Sequence, residues 1–190
     1  MSRFQQAIVI GGSVAGLTAA RVLTDHFERV TVIERDRLQD NADFRKGVPQ
    51  TRHAHLLLLR GLQNLEEMFP GLRQELLDQG GLTVNVGEEL LAYMQGNWLP
   101  NFVSDMEPVA CSRPLLEQTI YRRLLVNPQI SFLEETEVGA LLTDENRAQV
   151  TGISYRSRQH SGEAAQILQA DLVVDASGRT SDAPRWLQEL

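Results

Sequence analysis

An α/β fold built on a parallel sheet is predicted by three features of this sequence. An apolar run, Ala7 to Ile10, passes directly into the glycine-rich stretch Gly11-Gly12-Ser13-Val14-Ala15-Gly16. Apolar residues then recur at Ala15, Ala19, Val22, Leu23 and Phe27, the spacing of an amphipathic helix. A second apolar run, Val30 to Ile33, follows and delivers Glu34 at its carboxyl end. Strand, glycine turn, helix and strand in that order make a βαβ unit, whose parallel strands are buried on both faces and therefore apolar throughout.

The turn carries the chemistry. A strand that turns sharply on glycine into a helix aims the first backbone N–H groups of the helix, and the positive end of its dipole, at whatever lies above the turn. A pyrophosphate fits there. Gly11 permits the tight turn and Gly16 lets helix and strand pack closely. Glu34 lies 23 positions after Gly11, near the roughly 20 at which a carboxylate accepts hydrogen bonds from ribose hydroxyls. Ser13 replaces the middle glycine of the usual pattern, adding a small side chain whose hydroxyl can itself bond a phosphate oxygen. The motif is that of a dinucleotide site for FAD or NAD(P).

The same letters resemble the Gly-x-Ser-x-Gly nucleophile elbow of esterases. An elbow sits well inside its sheet, whereas Ser13 follows the first strand. The triad also needs a late histidine, and His160 falls in a polar, turn-like stretch. A hydrolase is disfavoured.

Composition narrows the class further. The 190 residues suffice for one core or one domain with an excursion, and no apolar run approaches the ~20 residues of a membrane span. The first apolar stretch is too short for a signal peptide. A net charge of −7 disfavours general binding to nucleic acid or anionic membrane. The single cysteine, Cys111, suits a reducing cytoplasm and reads as a small buried hydrophobe rather than a nucleophile.

The remaining elements follow in order. Arg35 to Gln50 is polar and aperiodic, an extended loop holding Arg35, Arg37, Arg45 and Lys46. After Thr51 a helix is predicted, with Leu58, Leu62, Leu65 and Phe69 on its apolar face. Pro70-Gly71 breaks it, and a short helix runs Leu72 to Gln79. Residues 82–110 alternate short apolar and polar patches, read as strands of a second sheet. Ser112-Arg113-Pro114 opens a helix buried along Leu116, Ile120 and Leu124. Strands are predicted over Ile130 to Leu133, Val138 to Leu142, Gln149 to Tyr155 and Ala165 to Gln169, with a β-meander over 136–170. A last strand, Leu172 to Val174, ends in Asp175-Ala176-Ser177-Gly178, and a helix bearing Trp186 and Leu187 follows.

Taken together, the glycine turn, Glu34, the arginine loop, the Ser-Arg-Pro helix, the meander and the Asp-Ala-Ser-Gly strand end resemble the flavoprotein monooxygenases. These are FAD-dependent aromatic hydroxylases on a glutathione-reductase-type FAD fold. One subgroup carries Gly-Val-Pro-Gln and then His-x-His, here Gly47-Val48-Pro49-Gln50 and His53-Ala54-His55. The resemblance covers essentially the whole of 1–190, and it implies a Rossmann-like FAD-binding fold with an inserted meander and part of a substrate-side sheet.

It also implies roles. Gly11, Gly12, Ser13 and Gly16 would face the pyrophosphate, and Glu34 with Arg35 would hold the adenosine ribose. Arg45 would approach the cofactor, Arg113 would reach its phosphate and ribityl region, and Gly178 would line the site from the last strand. The cofactor would be FAD, the electron donor NAD(P)H and the substrate a small organic molecule. Ser177-Gly178 stands where many hydroxylases have Asp-Gly, so NAD(P)H use is less strongly implied than FAD, and a related reductase, dehydrogenase or halogenase is the alternative. No catalytic acid or base stands out, and no zinc-type cluster occurs; His53 and His55 are too close to share a helical face. The family's Gly-Asp pair is absent, which implies the amino half of such an enzyme. That half would be inactive alone and would self-associate or take a partner supplying the rest; a non-catalytic nucleotide-binding remnant is the further alternative.

Overall fold

The computed structural model describes residues 4–38, 53–159 and 164–190. In chain order the elements are β1 (Phe4–Ile10), α1 (Val14–Leu23), β2 (Phe27–Ile33), β3 (Ala54–Leu57), α2 (Leu59–Met68) and α3 (Leu72–Asp78). Next come β4 (Leu82–Thr83), β5 (Tyr93–Met94), β6 (Asn97–Trp98), β7 (Val109–Ser112) and α4 (Arg113–Leu125). The chain finishes with β8 (Ile130–Leu133), β9 (Thr136–Thr143), β10 (Val150–Ser157), β11 (Gln166–Gln169), β12 (Leu172–Asp175) and α5 (Ala183–Glu189). Two compact units result: described residues up to 38 with those from 121 onward form the first, and 53–120 the second.

The first unit is organised by a parallel sheet of order β12-β1-β2-β8. Ala7 to Ile10 and Val30 to Ile33 are all buried, because both faces of the sheet are covered. Helix α1 covers one face with Leu17, Ala20 and Leu23, close enough that a Cβ on Gly16 would stand 3.3 Å from Val9 Cγ1. Side chains alternate along a strand, so Ile8 and Ile10 point to the opposite face. There they pack with Ile33, with Val138 and Ile153 of the antiparallel meander β9-β10-β11, and with Trp186 of α5. The Trp186 indole also donates from Nε1 to the Gly139 carbonyl at 3.0 Å.

One polar line crosses this apolar sheet. Gln6 Nε2 donates to Thr31 Oγ1 at 2.9 Å, and Thr31 Oγ1 lies 3.1 Å from Ser131 Oγ, which links β1, β2 and β8.

One sequence expectation needs correction here. Helix α1 buries Gly16, Leu17, Ala20 and Leu23, while Ala15 and Val22 are exposed and Phe27 belongs to β2. The phase is set by Gly16, which must face the turn because a side chain there would meet the Gly11 carbonyl. Trp186 of α5 is only 4% accessible within the core, while Leu187 beside it is 61% exposed.

In the second unit β3, β7 and β4 form an antiparallel sheet of order β3-β7-β4, and β5-β6 is a separate hairpin. Helices α2 and α3 bury Leu62, Leu65, Leu72 and Leu76. The helix predicted after Thr51 begins only at Leu59, and the residues before it form β3, paired with β7 so that His55 faces Cys111. Leu56 to Leu59 is an unbroken leucine run, so its period does not separate strand from helix; pairing with β7 decides it. Leu58, assigned to the buried face, sits at the N-cap and is exposed. No helix among the described residues is long and apolar enough to cross a membrane.

Candidate functional site

The carboxyl edge of the parallel sheet gathers most of the residues singled out in the sequence. Gly11 leaves β1 with φ +106°, in the left-handed region that favours glycine, and its N–H donates to the Ile33 carbonyl at 2.7 Å. Space requires glycine too: a Cβ at Gly11 would stand 2.6 Å from the Ala176 carbonyl oxygen, and one at Gly16 only 1.8 Å from the Gly11 carbonyl oxygen. The turn is thus closed on one side by its own helix and on the other by the end of β12. Ser13 is the N-cap of α1 in an extended conformation, and its side chain makes no cap hydrogen bond. The first-turn amides of α1 therefore have no acceptor from their own helix and none from their cap residue.

Glu34 stands level with the turn, since Ile10 is in register with Ile33. It is buried, and its Oε2 accepts from Gly12 N at 2.6 Å while Oε1 accepts from Asp36 N at 2.9 Å. The backbone around it is also held: Glu34 N donates to Leu133 O at 2.9 Å, and Thr136 N to Glu34 O at 3.0 Å. A carboxylate is thus fixed beside the helix start at the end of the neighbouring strand.

On the other side of β1, the end of β12 is organised by Asp175. Its Oδ1 accepts from Ser177 N at 2.9 Å and from Ser177 Oγ at 2.5 Å, and its Oδ2 accepts from Ser181 Oγ. Burial alone would raise the Asp175 carboxyl, but these hydrogen bonds outweigh it and hold the group below its ordinary value. Ala176 N donates to Ile10 O at 2.8 Å, and Gly178, at φ +83°, is exposed. Sequence reasoning noted Asp175 only as a neighbour of Ser177-Gly178. The signal available was an aspartate with serines two and six positions on, at the end of an apolar strand.

The arginines are placed differently from the glycines. Arg35 follows Glu34 and is exposed, and its carbonyl accepts from Arg158 Nη1 at 3.1 Å. Arg113 opens α4, at the end of the second unit, where its Nε donates to the buried Glu117 carboxylate at 2.7 Å. Arg45 and Gly47-Val48-Pro49-Gln50 lie outside the described residues, as does His160. His53 is exposed, and its carbonyl oxygen lies 2.8 Å from Nδ1 of His55 on β3. Cys111 is half-buried; burial pushes its thiol up against the opposing influence of Arg113.

The parallel strands β12, β1 and β2, with the first connection running by α1 to one side of β1 and β12 lying on the other, place a switch in strand order at β1. Ligands of open α/β sheets bind outside the carboxyl ends of the strands at such a point. Glycine turn, helix start and buried carboxylate all converge there.

Comparison with known proteins bears on this arrangement. No protein-family model matches the sequence. A curated protein of Mycobacterium tuberculosis strain H37Rv, Protein Rv3254, is 35% identical over 199 residues, covering 96% of this chain and 40% of that protein. The chain thus spans about two fifths of the length of the curated relative it matches. Among solved structures, PqsL, a probable FAD-dependent monooxygenase from Pseudomonas aeruginosa, superposes with a TM-score of 0.72 at 22% identity, over 100% of this chain and 46% of that one. The p-nitrophenol 4-monooxygenase PnpA from Pseudomonas putida DLL-E4 gives 0.70 at 16% identity, over 98% and 44%. The likeness is one of fold: a Rossmann-like α/β arrangement that makes up nearly half of each of these two chains.

Proposed function

We propose that this chain is the FAD-binding portion of a flavin-dependent monooxygenase that uses NAD(P)H and O₂ on a small organic substrate. The observation that carries the reading is the glycine turn with Glu34 held level beside it at the switch in strand order. Bound flavin would supply the electron transfer between nicotinamide, O₂ and substrate, chemistry that no side chain can provide.

The residues present fit that group. Gly11, Gly12 and Gly16 let a diphosphate approach the backbone, and the first amides of α1 donate to its oxygens. An ionised carboxylate offers about four acceptor positions, so ribose hydroxyls can donate to Glu34 alongside the two backbone amides it already holds. Arg35, next to Glu34, would pass the adenosine ribose, and Arg45, outside the described residues, would approach the cofactor as the resemblance implies. Arg113, which opens α4 in the second unit, carries a planar guanidinium of the kind suited to phosphate, and its Nε donates to the Glu117 carboxylate. Gly178 contributes an exposed backbone at the end of β12.

Ser177-Gly178 in place of Asp-Gly supports a second reading on the same scaffold: an FAD-dependent reductase, dehydrogenase or halogenase with a different electron donor. In either case the matched region is less than half of each structural neighbour. Hydroxylation is therefore proposed only for this portion acting with a second part of the kind those neighbours contain. A cytoplasmic setting completes the proposal, in keeping with a single cysteine.

The test is titration of FAD and of ADP into the wild type, Gly11→Val and Glu34→Ala, followed by flavin fluorescence and calorimetry. Gly11→Val should abolish binding of both ligands. Glu34→Ala should weaken both by the worth of one or two charge-assisted hydrogen bonds, about 1.5–3 kcal/mol each. Unchanged affinity in both variants refutes the assignment.

A further inference from the structure

The strand order fixes more than the presence of a crevice. Glu34, the proposed ribose ligand, ends β2; the glycine turn, the proposed diphosphate site, ends β1; and the Asp175 turn ends β12, on the side of β1 away from β2. A dinucleotide that places its adenosine over β2 and its diphosphate over β1 must carry its second half toward β12. The end of β12 therefore borders the half of the ligand that distinguishes FAD from ADP.

We propose that Asp175 is the positioning residue for that half, through its hold on Ser177 and Ser181. The inference rests on the dinucleotide reading above and extends it to a residue that need not touch the ligand. Three features support it. The carboxylate gathers the Ser177 amide, the Ser177 hydroxyl and the Ser181 hydroxyl, which fixes the chain on both sides of Gly178. Ser181 in turn accepts from Ala183 N at 3.0 Å, joining the turn to the start of α5. Ala176, between Asp175 and Ser177, is the residue whose carbonyl oxygen would lie 2.6 Å from a Cβ at Gly11, and its N–H is bonded to Ile10 O. The turn that Asp175 shapes is thus in direct apposition to the glycine turn.

Held below its ordinary value, the Asp175 carboxyl is an acceptor-only carboxylate at neutral pH, the form that can hold three donors at once. Removing it frees Ser177 and Ser181, and the exposed Gly178, already at a conformation few residues adopt, loses the anchors on either side.

The experiment measures dissociation constants for AMP, ADP and FAD, with melting temperature, in the wild type, Asp175→Ala, Asp175→Asn and Ser181→Ala. Asp175→Ala should weaken FAD by about tenfold or more, the scale of losing hydrogen bonds to a charged group, while AMP and ADP stay within about twofold. Asp175→Asn retains an acceptor for Ser177 and should recover part of the FAD affinity. Ser181→Ala, which breaks the other arm, should shift FAD in the same direction. A uniform loss for all three ligands, or a fall in melting temperature with no change in the FAD-to-ADP ratio, overturns the proposal in favour of a structural role alone. Failure of ADP to bind the wild type would instead refute the underlying dinucleotide reading, so the two failures are separable.

Discussion

The glycine turn after β1 and the β5-β6 hairpin both depend on glycine, but only the first for want of space. At the first, atoms press in from two sides, and neither Gly11 nor Gly16 leaves room for a Cβ. At the second, Gly96 has φ +85° and nothing within 4 Å of where a Cβ would stand. Gln95 beside it has φ 51°, so the two-residue loop is the kind that matches the twist of a hairpin. The hairpin is held by that loop, by two residues of pairing per strand and by the edge-to-face contact of Tyr93 and Trp98, whose rings lie 5.2 Å apart. Tyr93, Met94 and Trp98 are all more than half exposed. The same letter therefore marks crowding as well as conformation in one place and conformation alone in the other, and the two should answer differently to mutation.

Gly16→Val is the severest way to break the comparison. Its side chain has no position clear of the Gly11 carbonyl, so helix and strand must part. A loss of cooperative unfolding, or a destabilisation above about 4 kcal/mol of the kind that steric clash in a packed site produces, is expected in thermal melts. Near-wild-type melting would show that the turn is looser than described.

The two tryptophans extend the contrast to side chains. Trp186 is 4% accessible and hydrogen-bonded to Gly139 O, so Trp186→Ala should cost about 3–5 kcal/mol. Chemical denaturation followed by circular dichroism measures it, and a value below ~1 kcal/mol would mean that the meander does not depend on α5.

Trp98, 66% accessible, gives the smallest effect. Trp98→Ala should change stability by no more than about 1 kcal/mol, the worth of one aromatic pair, in the same denaturation experiment. A larger loss would show that the hairpin is covered by something that the exposure of its side chains does not reveal.

Legibility in the sequence follows the same division. The βαβ unit was readable because its information is local: apolar strands, a glycine turn and a carboxylate at fixed spacing. Helix α1 was nevertheless misphased, because apolar periodicity treated Gly16 as a spacer when close packing makes it the residue that must face the turn. Strand β3 escaped because its partner β7 is remote in sequence and its leucines continue into α2. At the candidate site, Glu34 and the glycines were legible residue by residue. Their mutual bond, Gly12 N to Glu34, and the Asp175 network were not, since each depends on strands brought together only by the sheet. The exposed apolar residues between Leu90 and Met106 gave no pattern beyond short alternation, and the structure shows why: that stretch has little core of its own to encode.

The line of Gln6, Thr31 and Ser131 through the parallel sheet acts as a vernier for the edge above it. Apolar strands alone tolerate a slip along one another wherever valine can replace isoleucine against the same helix. Here such a slip would part the buried Thr31 hydroxyl from both its partners, the half-buried Gln6 and the exposed Ser131, at a cost of about 1–3 kcal/mol. It would also carry Glu34 roughly 3.3 Å past the glycine turn and flip it to the other face. Polar atoms several residues below the crevice thus set the height at which its carboxylate and its amides emerge, and the alignment that recognises a ligand is calibrated from beneath.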